Sequence, residues 1–263
     1  MKKYLFIFKS ELMSNMQYIF NVLIGFITYF IVIFIFSNLW SYIYSDSSNL
    51  INGYSMQQMI WYVIVTEILW YMTSGRKLCK KISNDVKSGN IAYNINKPYN
   101  YVGYSLANHL GSSTLRGILY TVAGMIMGLL LLGPIKDFNF ITVPFIILSI
   151  VLATIINVLL VICIGLSAFW LEDSGPIYWI YSKLILVFGT MFPIEYFPKI
   201  VQTILNYSPV YVTTYGPAKL FVDFNYNSLI LILIAQVIYL VFSVLLANLI
   251  YRKGVLKLNV NGG

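Results

Sequence analysis

Six apolar runs, separated by short polar or basic loops, fill most of the chain between residues 18 and 251, and together they demand a bilayer as solvent. They cover residues 18–40, 58–75, 112–133, 143–170, 177–193 and 228–251. A hydrocarbon core of about 30 Å needs roughly 20 apolar residues of helix. One run falls short. From Ile177 to Phe192 there are 16 residues, roughly 24 Å of helix at about 1.5 Å per residue. Beyond it, Pro193, Pro198, Pro209 and Pro217 break residues 194–224 into short pieces around Glu195. Backbone groups freed by proline at membrane depth must be buried in protein or line a cavity, because lipid offers them no partner. The expected structure is a short fifth span followed by a re-entrant helical hairpin, residues 194–224, in the outer leaflet.

Composition agrees with this reading. The chain is 59% hydrophobic and 10% charged, whereas a soluble domain carries about 25% charge. The net charge of +8 does not imply nucleic acid here, since the cations lie in loops between apolar runs, where they orient the chain and meet anionic lipid. The N-terminus, the loop after the second run and the C-terminal tail hold twelve Lys and Arg; the opposite loops hold Lys136, Lys199 and Lys219. The positive-inside rule therefore places both termini and the basic loop in the cytoplasm. Lysine outnumbers arginine 14 to 3, a bias that suggests an AT-rich bacterial genome and hence a bacterial plasma membrane. Cys79 and Cys163 have no metal-ligand spacing and read as free thiols.

Residues 1–17 place Leu5, Phe8, Leu12 and Met16 on one helical face, as an interfacial helix does. In the basic loop, residues 76–98, Leu78, Ile82 and Val86 recur every four residues among Arg76, Lys77, Lys80, Lys81 and Lys87. That pattern describes a short amphipathic helix. Glu67 and Arg116 are the charges that apolar periodicity would not place in a span; such residues usually face a cavity or a partner, and an ion pair between them is the favoured expectation over a substrate-binding carboxylate. Gly117, Gly124 and Gly128 form a small-residue stripe that fits ordinary bundle packing better than a dimer seam. The tryptophans and tyrosines at Trp40, Tyr42, Tyr44, Trp61, Tyr62, Trp70 and Tyr71 read mostly as interface belts. The lone histidine, His109, reads as a packed or interfacial residue, and the adjacent Glu172 and Asp173 as a helix cap. There is no GxxxxGK[ST] element, no GxSxG and no HExxH, so nothing marks an enzyme and no cofactor is expected on the chain.

The words AFWLED, FGTMFPIEYFP and SPVYVTTYGPAKLF, with the closing RKGVLKLNVNGG (Arg252 to Gly263), resemble the ATP-binding-cassette (ABC) type-2 transporter permeases of about 260 residues, over essentially the whole chain. The resemblance implies an all-α membrane protein, one domain over residues 1–263, with six transmembrane helices, an N-terminal interfacial helix, a cytoplasmic coupling helix and the re-entrant hairpin between spans five and six. It also implies export of an amphipathic drug, peptide or lipid-like substrate by a dimer of like or unlike permeases bound to two ABC ATPase subunits, which carry the ATP and Mg. In that family the loop after the second span contacts the ATPase, a role that falls here on the region around Lys80, Lys81, Asp85 and Val86. An ATP-independent channel or carrier, for which Glu67 alone qualifies as an ion-coupling group, and a membrane-embedded lipid enzyme are the competing classes.

Overall fold

The structure is a computed structural model and describes residues 2–17, 19–44, 50–135, 138–171 and 173–258, without the side chains of residues 19–23 and 95. Lys136, Glu172 and the last five residues, on which sequence readings fall, lie outside the described residues.

Every described element is helical, with one isolated bridge pair, Ile51 and Tyr54. In chain order the helices are α1 (Lys2–Gln17), α2 (Ile19–Ile43), α3 (Met56–Thr73), α4 (Arg76–Lys87), α5 (Asn90–Ile95), α6 (Tyr101–Leu132), α7 (Val143–Leu166), α8 (Gly175–Ile185), α9 (Lys199–Asn206), α10 (Gly216–Val222) and α11 (Tyr226–Leu258). Local chemistry sets several boundaries. Ser55 and Gln58 form a reciprocal capping box at the start of α3, and the Asn100 side chain accepts from the Gly103 N–H at the start of α6, each satisfying donors that a helix start leaves orphaned. At α8 the Asp173 carboxylate accepts from the Gly175 N–H at 3.0 Å.

Among the described residues, four helical segments are long and apolar enough to cross a membrane: Ile24–Ile43, Tyr101–Leu132, Phe140–Phe169 and Tyr226–Lys257. The two other runs read from the sequence fall short for different reasons. α3 has 18 residues and buries Met59 to Leu69 without a break, so it is surrounded by protein on all sides and tolerates Gln57, Gln58 and Glu67. Its neighbour in that respect, α8, has 11 residues and widens into a π-helical turn at Leu186–Met191 before Pro193.

One hydrophobic cluster joins α2, α3, α6 and the proline-rich segment; a second joins α4, α5, the start of α6, α7 and α11. The glycine stripe of α6 lets α3 approach within the chain: a Cβ on Gly128 would lie 2.4 Å from the Trp61 ring. Bundle packing, as expected, is its use. The aromatic-belt reading fails for several residues. Trp40, Tyr44, Trp61 and Tyr62 are all buried, whereas Tyr42 is exposed. A ring at a span end can face headgroups or a neighbouring helix, and here the loop before α3 and the segment after α8 cover those ends.

Candidate functional site

The basic loop folds as expected into a short helix, α4, but its apolar stripe is used at home. Leu78, Cys79, Ile82 and Val86 are buried against α7 and the turn that follows it. The approach is close because Gly165 of α7 has no side chain: a Cβ there would lie 2.9 Å from the Ile82 Cβ. Tyr101 of α6 adds a hydrogen bond from its hydroxyl to Asp85 Oδ2 at 2.7 Å, and Cys79 Sγ lies 3.5 Å from Ser174 Oγ at the start of α8. The apolar stripe is therefore covered within the chain and is not free to enter a groove on a partner. Of the four residues assigned to coupling, Val86 is interior and Asp85 is half-buried under Tyr101, while Lys80 and Lys81 remain exposed alongside Arg76 and Lys77. An apolar period of four reveals a helix face, not what covers it.

Between α3, α4 and α8 lies a cleft of about 750 Å³ whose lining includes Trp70, Ser74, Arg76, Lys80, Trp179 and Lys183. A smaller cavity shares Trp70, Ser74, Tyr178 and Ser182 with it and reaches Asn157, Thr190 and Thr213 deeper in the bundle. Tyr181 donates to Asn157 Oδ1 across that deeper part, and Thr66 donates to the Thr190 carbonyl. A polar column therefore runs from the basic end toward the π turn after α8.

The proline segment is locked to the α2–α3 connection. Glu195 Oε1 accepts from Tyr215 OH at 2.6 Å and from Tyr54 OH at 3.0 Å, and lies 3.3 Å from Lys219 Nζ. Lys219 also pairs with Asp223 at 2.7 Å and donates to Tyr54 OH at 3.0 Å. Tyr44 donates to the Tyr54 carbonyl, and Tyr196 to the Ile51 carbonyl. Burial and the Glu195 carboxylate push the Tyr54 hydroxyl far above its ordinary range, so it stays a neutral donor. The four prolines sit where a missing N–H does least harm: Pro193 precedes the 3-10 turn Ile194–Tyr196, Pro198 caps α9, Pro209 precedes the π turn Tyr211–Tyr215, and Pro217 lies in the first turn of α10. Tyr54 and Lys219 had no signal in the sequence beyond residue type, since their partner lies well over a hundred residues away for one and on a different short helix for the other.

Glu67 and Arg116 do not form the expected ion pair. The ion pairs within 4.0 Å among the described residues are Lys87–Asp173, Lys219–Glu195 and Lys219–Asp223. Arg116 Nη1 instead donates to the carbonyls of Tyr71 and Ser74 at 3.4 Å, four and seven residues beyond Glu67 on α3, which is about 6–10 Å along a helix. The two charges sit at different heights in the bundle. Glu67 is buried among the rings of α2 and α3, with Tyr29 and Tyr71 as its electrostatic neighbours.

A family model described as an ABC-2 family transporter protein matches residues 27–262. The chain belongs to the ABC-2 transporter family. It is accordingly a membrane protein with several apolar helices, consistent with a permease subunit. A comparison with curated proteins finds no match. Within the ABC-2 assignment, the matched range includes the cleft beside α4, the polar column and the locked proline segment, and omits α1 and the first residues of α2.

Proposed function

We propose that this ABC-2 family chain is the non-catalytic permease half of an ATP-driven exporter in a bacterial plasma membrane. It has six spans, α3 and α8 included, with both termini cytoplasmic and residues 194–224 dipping into the outer leaflet. Its cargo is an amphipathic drug, peptide or lipid-like molecule. Two ABC ATPase subunits carry the ATP and Mg, and a second permease, like or unlike, completes the transmembrane dimer.

The observation that carries this reading is the anchoring of α4. Because its apolar face is packed on α7, a push on the exposed cations of α4 is transmitted to the bundle as a rigid displacement, and the cleft between α3, α4 and α8 lies directly behind it. Closure of the ATPases would bias that cleft between open and occluded states, provided the ATPases bind the two states unequally. Aromatic side chains and cations on the cleft wall suit a molecule with an apolar body and a polar head. α8 exposes Trp179, Ile180 and Leu184, an apolar face available to the second permease.

The test is the native mass of the complex purified through a tag on this chain, expressed with its genomic neighbours. Two ATPase subunits with two permease chains support the proposal. A chain that is monodisperse without any ATPase in several mild detergents, and that transports in liposomes without ATP, would favour a carrier and overturn it.

A further inference from the structure

We propose that a second cavity at the basic end binds the headgroup of an anionic phospholipid carrying free hydroxyls, of the phosphoglycerol class. It measures about 610 Å³, lies between α1, α2, α3, α4 and α6, and shares only Ser74 with the cleft beside α8. Besides three tyrosines, the ionisable side chains lining it are Lys77 and Lys81 from α4, His109 and Arg116 from α6, and Glu11 from α1.

Three features point to a bound anion. Arg116 is flanked by no carboxylate within 4.0 Å among the described residues, and its contacts, to Ser112, Ser113, Tyr71 and Ser74, are long ones of 3.3–3.4 Å to neutral oxygens. These contacts occupy all five of its N–H groups, and a phosphate seated in the planar fork would replace long bonds to neutral oxygens with shorter charge-assisted ones. Lys77 and Lys81 are exposed at the same opening and enter none of the ion pairs found among the described residues. The one carboxylate in the wall, Glu11, is already engaged, accepting from Asn15 at 2.8 Å and from Asn108 at 2.6 Å.

His109 defines the second half of the ligand. It is 8% exposed, and its Nε2 is buried with no hydrogen-bond partner, while the ring bonds the Thr73 backbone. A buried polar atom without a partner is costly, and a neutral imidazole nitrogen accepts from a hydroxyl. Phosphate oxygens beside Arg116 and the lysines, with a hydroxyl reaching His109, would satisfy the whole wall. α1 sets the depth: it packs on α6 so closely that a Cβ on Gly111 would lie 2.6 Å from the Phe8 carbonyl, and it exposes Leu5, Phe6, Met13 and Met16, as a helix lying among headgroups does. The site rests on the chain being a membrane protein and is independent of what the complex transports.

The full chain, purified with its partners in detergent and stripped of lipid, is titrated with dihexanoyl phosphatidylglycerol, and in parallel with dihexanoyl phosphatidylcholine and with glycerol 3-phosphate. Bound ligand is counted by native mass spectrometry. Phosphatidylglycerol should bind, phosphatidylcholine should not, and glycerol 3-phosphate should bind far more weakly than the lipid. The Lys77→Gln/Lys81→Gln pair and Arg116→Gln should each weaken phosphatidylglycerol by at least about tenfold, the equivalent of one charge-assisted hydrogen bond or more, and His109→Phe should reduce its preference over a lipid lacking hydroxyls. The lysine pair is exposed and keeps the thermal midpoint, so it carries the test if Arg116→Gln fails to fold. Equal binding of the two lipids, or unchanged binding in the lysine variant, overturns the site. Glycerol 3-phosphate binding as tightly as the lipid overturns the lipid source in favour of a soluble phosphate ester.

Discussion

At the basic end of the bundle α4 is fixed mainly by apolar side chains while its charges point outward; at the proline end residues 194–222 add hydrogen bonds and a partly buried ion pair to their apolar packing, while residues such as Ile200 and Ile204 point outward. The contrast follows from backbone chemistry. α4 is an unbroken helix that satisfies its own amides, so it needs only a greasy seat. The proline segment consists of short helices and a π turn with freed backbone groups, of which the Val222 and Phe197 carbonyls accept from Gln58 and Gln202. One end can hand its charge to another protein. The other spends its polar groups on itself.

The largest expected effect is therefore at Glu195. Glu195→Ala leaves the Tyr54 and Tyr215 hydroxyls without their shared acceptor and Lys219 with Asp223 alone. The loss should be about 3 kcal/mol, at the low end for a broken pair because Glu195 is partly exposed. A fall in the thermal midpoint of the purified complex checks it, with Glu195→Gln falling less. A midpoint that does not move would show that packing, not the polar lock, holds this segment.

Next comes the seat of α4. Gly165→Leu forces Ile82 and the Cys79 carbonyl, which a Cβ would approach to 2.9 and 3.3 Å, away from α7. Overpacking of this kind costs about 1–3 kcal/mol. Transport should fall more steeply than basal ATP hydrolysis, since the lever is displaced while the ATPases remain intact. Proportional loss of both would mean that α4 is only a structural prop.

These two regions differ also in how far the sequence disclosed them. The helix over residues 2–17, the amphipathic helix after α3 and the proline breaks were legible, because periodicity and missing donors are local properties. Where faces end up was not. Leu78, Ile82 and Val86 have the same spacing whether they enter a partner's groove or the chain's own core. Trp61 and Tyr62 have the composition of a belt but are wrapped by residues from α6 and the proline segment. Glu67 and Arg116 were expected to pair because both are unusual, yet one to two helical turns separate them along the bundle. Register between helices is a tertiary property that no single helix encodes.

Smaller effects sharpen the contrast. Lys80→Glu/Lys81→Glu should leave stability within about 0.5 kcal/mol, as exposed substitutions do, yet weaken ATPase binding in a manner that raised salt does not worsen, because the attraction that salt screens is already gone. A salt titration of complex stability by native mass measures this; wild-type affinity insensitive to salt would remove charge from the coupling surface. The smallest effect is expected for Lys87→Ala. Its pair with Asp173 spans 3.8 Å with both side chains substantially exposed, a type that contributes about 0–0.5 kcal/mol, so the thermal midpoint should barely change. A large drop would make that pair a real strut between α4 and α8.

On the proposed function, the basic end is the surface that meets the ATPase. The direct measurement replaces Lys80 with a photo-crosslinking amino acid, and in a second preparation Ile204, an exposed residue of α9 at the other end. Both are irradiated in cells that express the neighbouring genes. A cross-link from position 80 to an ATPase-sized chain, with none from position 204, is the predicted result. Capture of the ATPase from position 204, or from neither position while the complex still purifies intact, would contradict it.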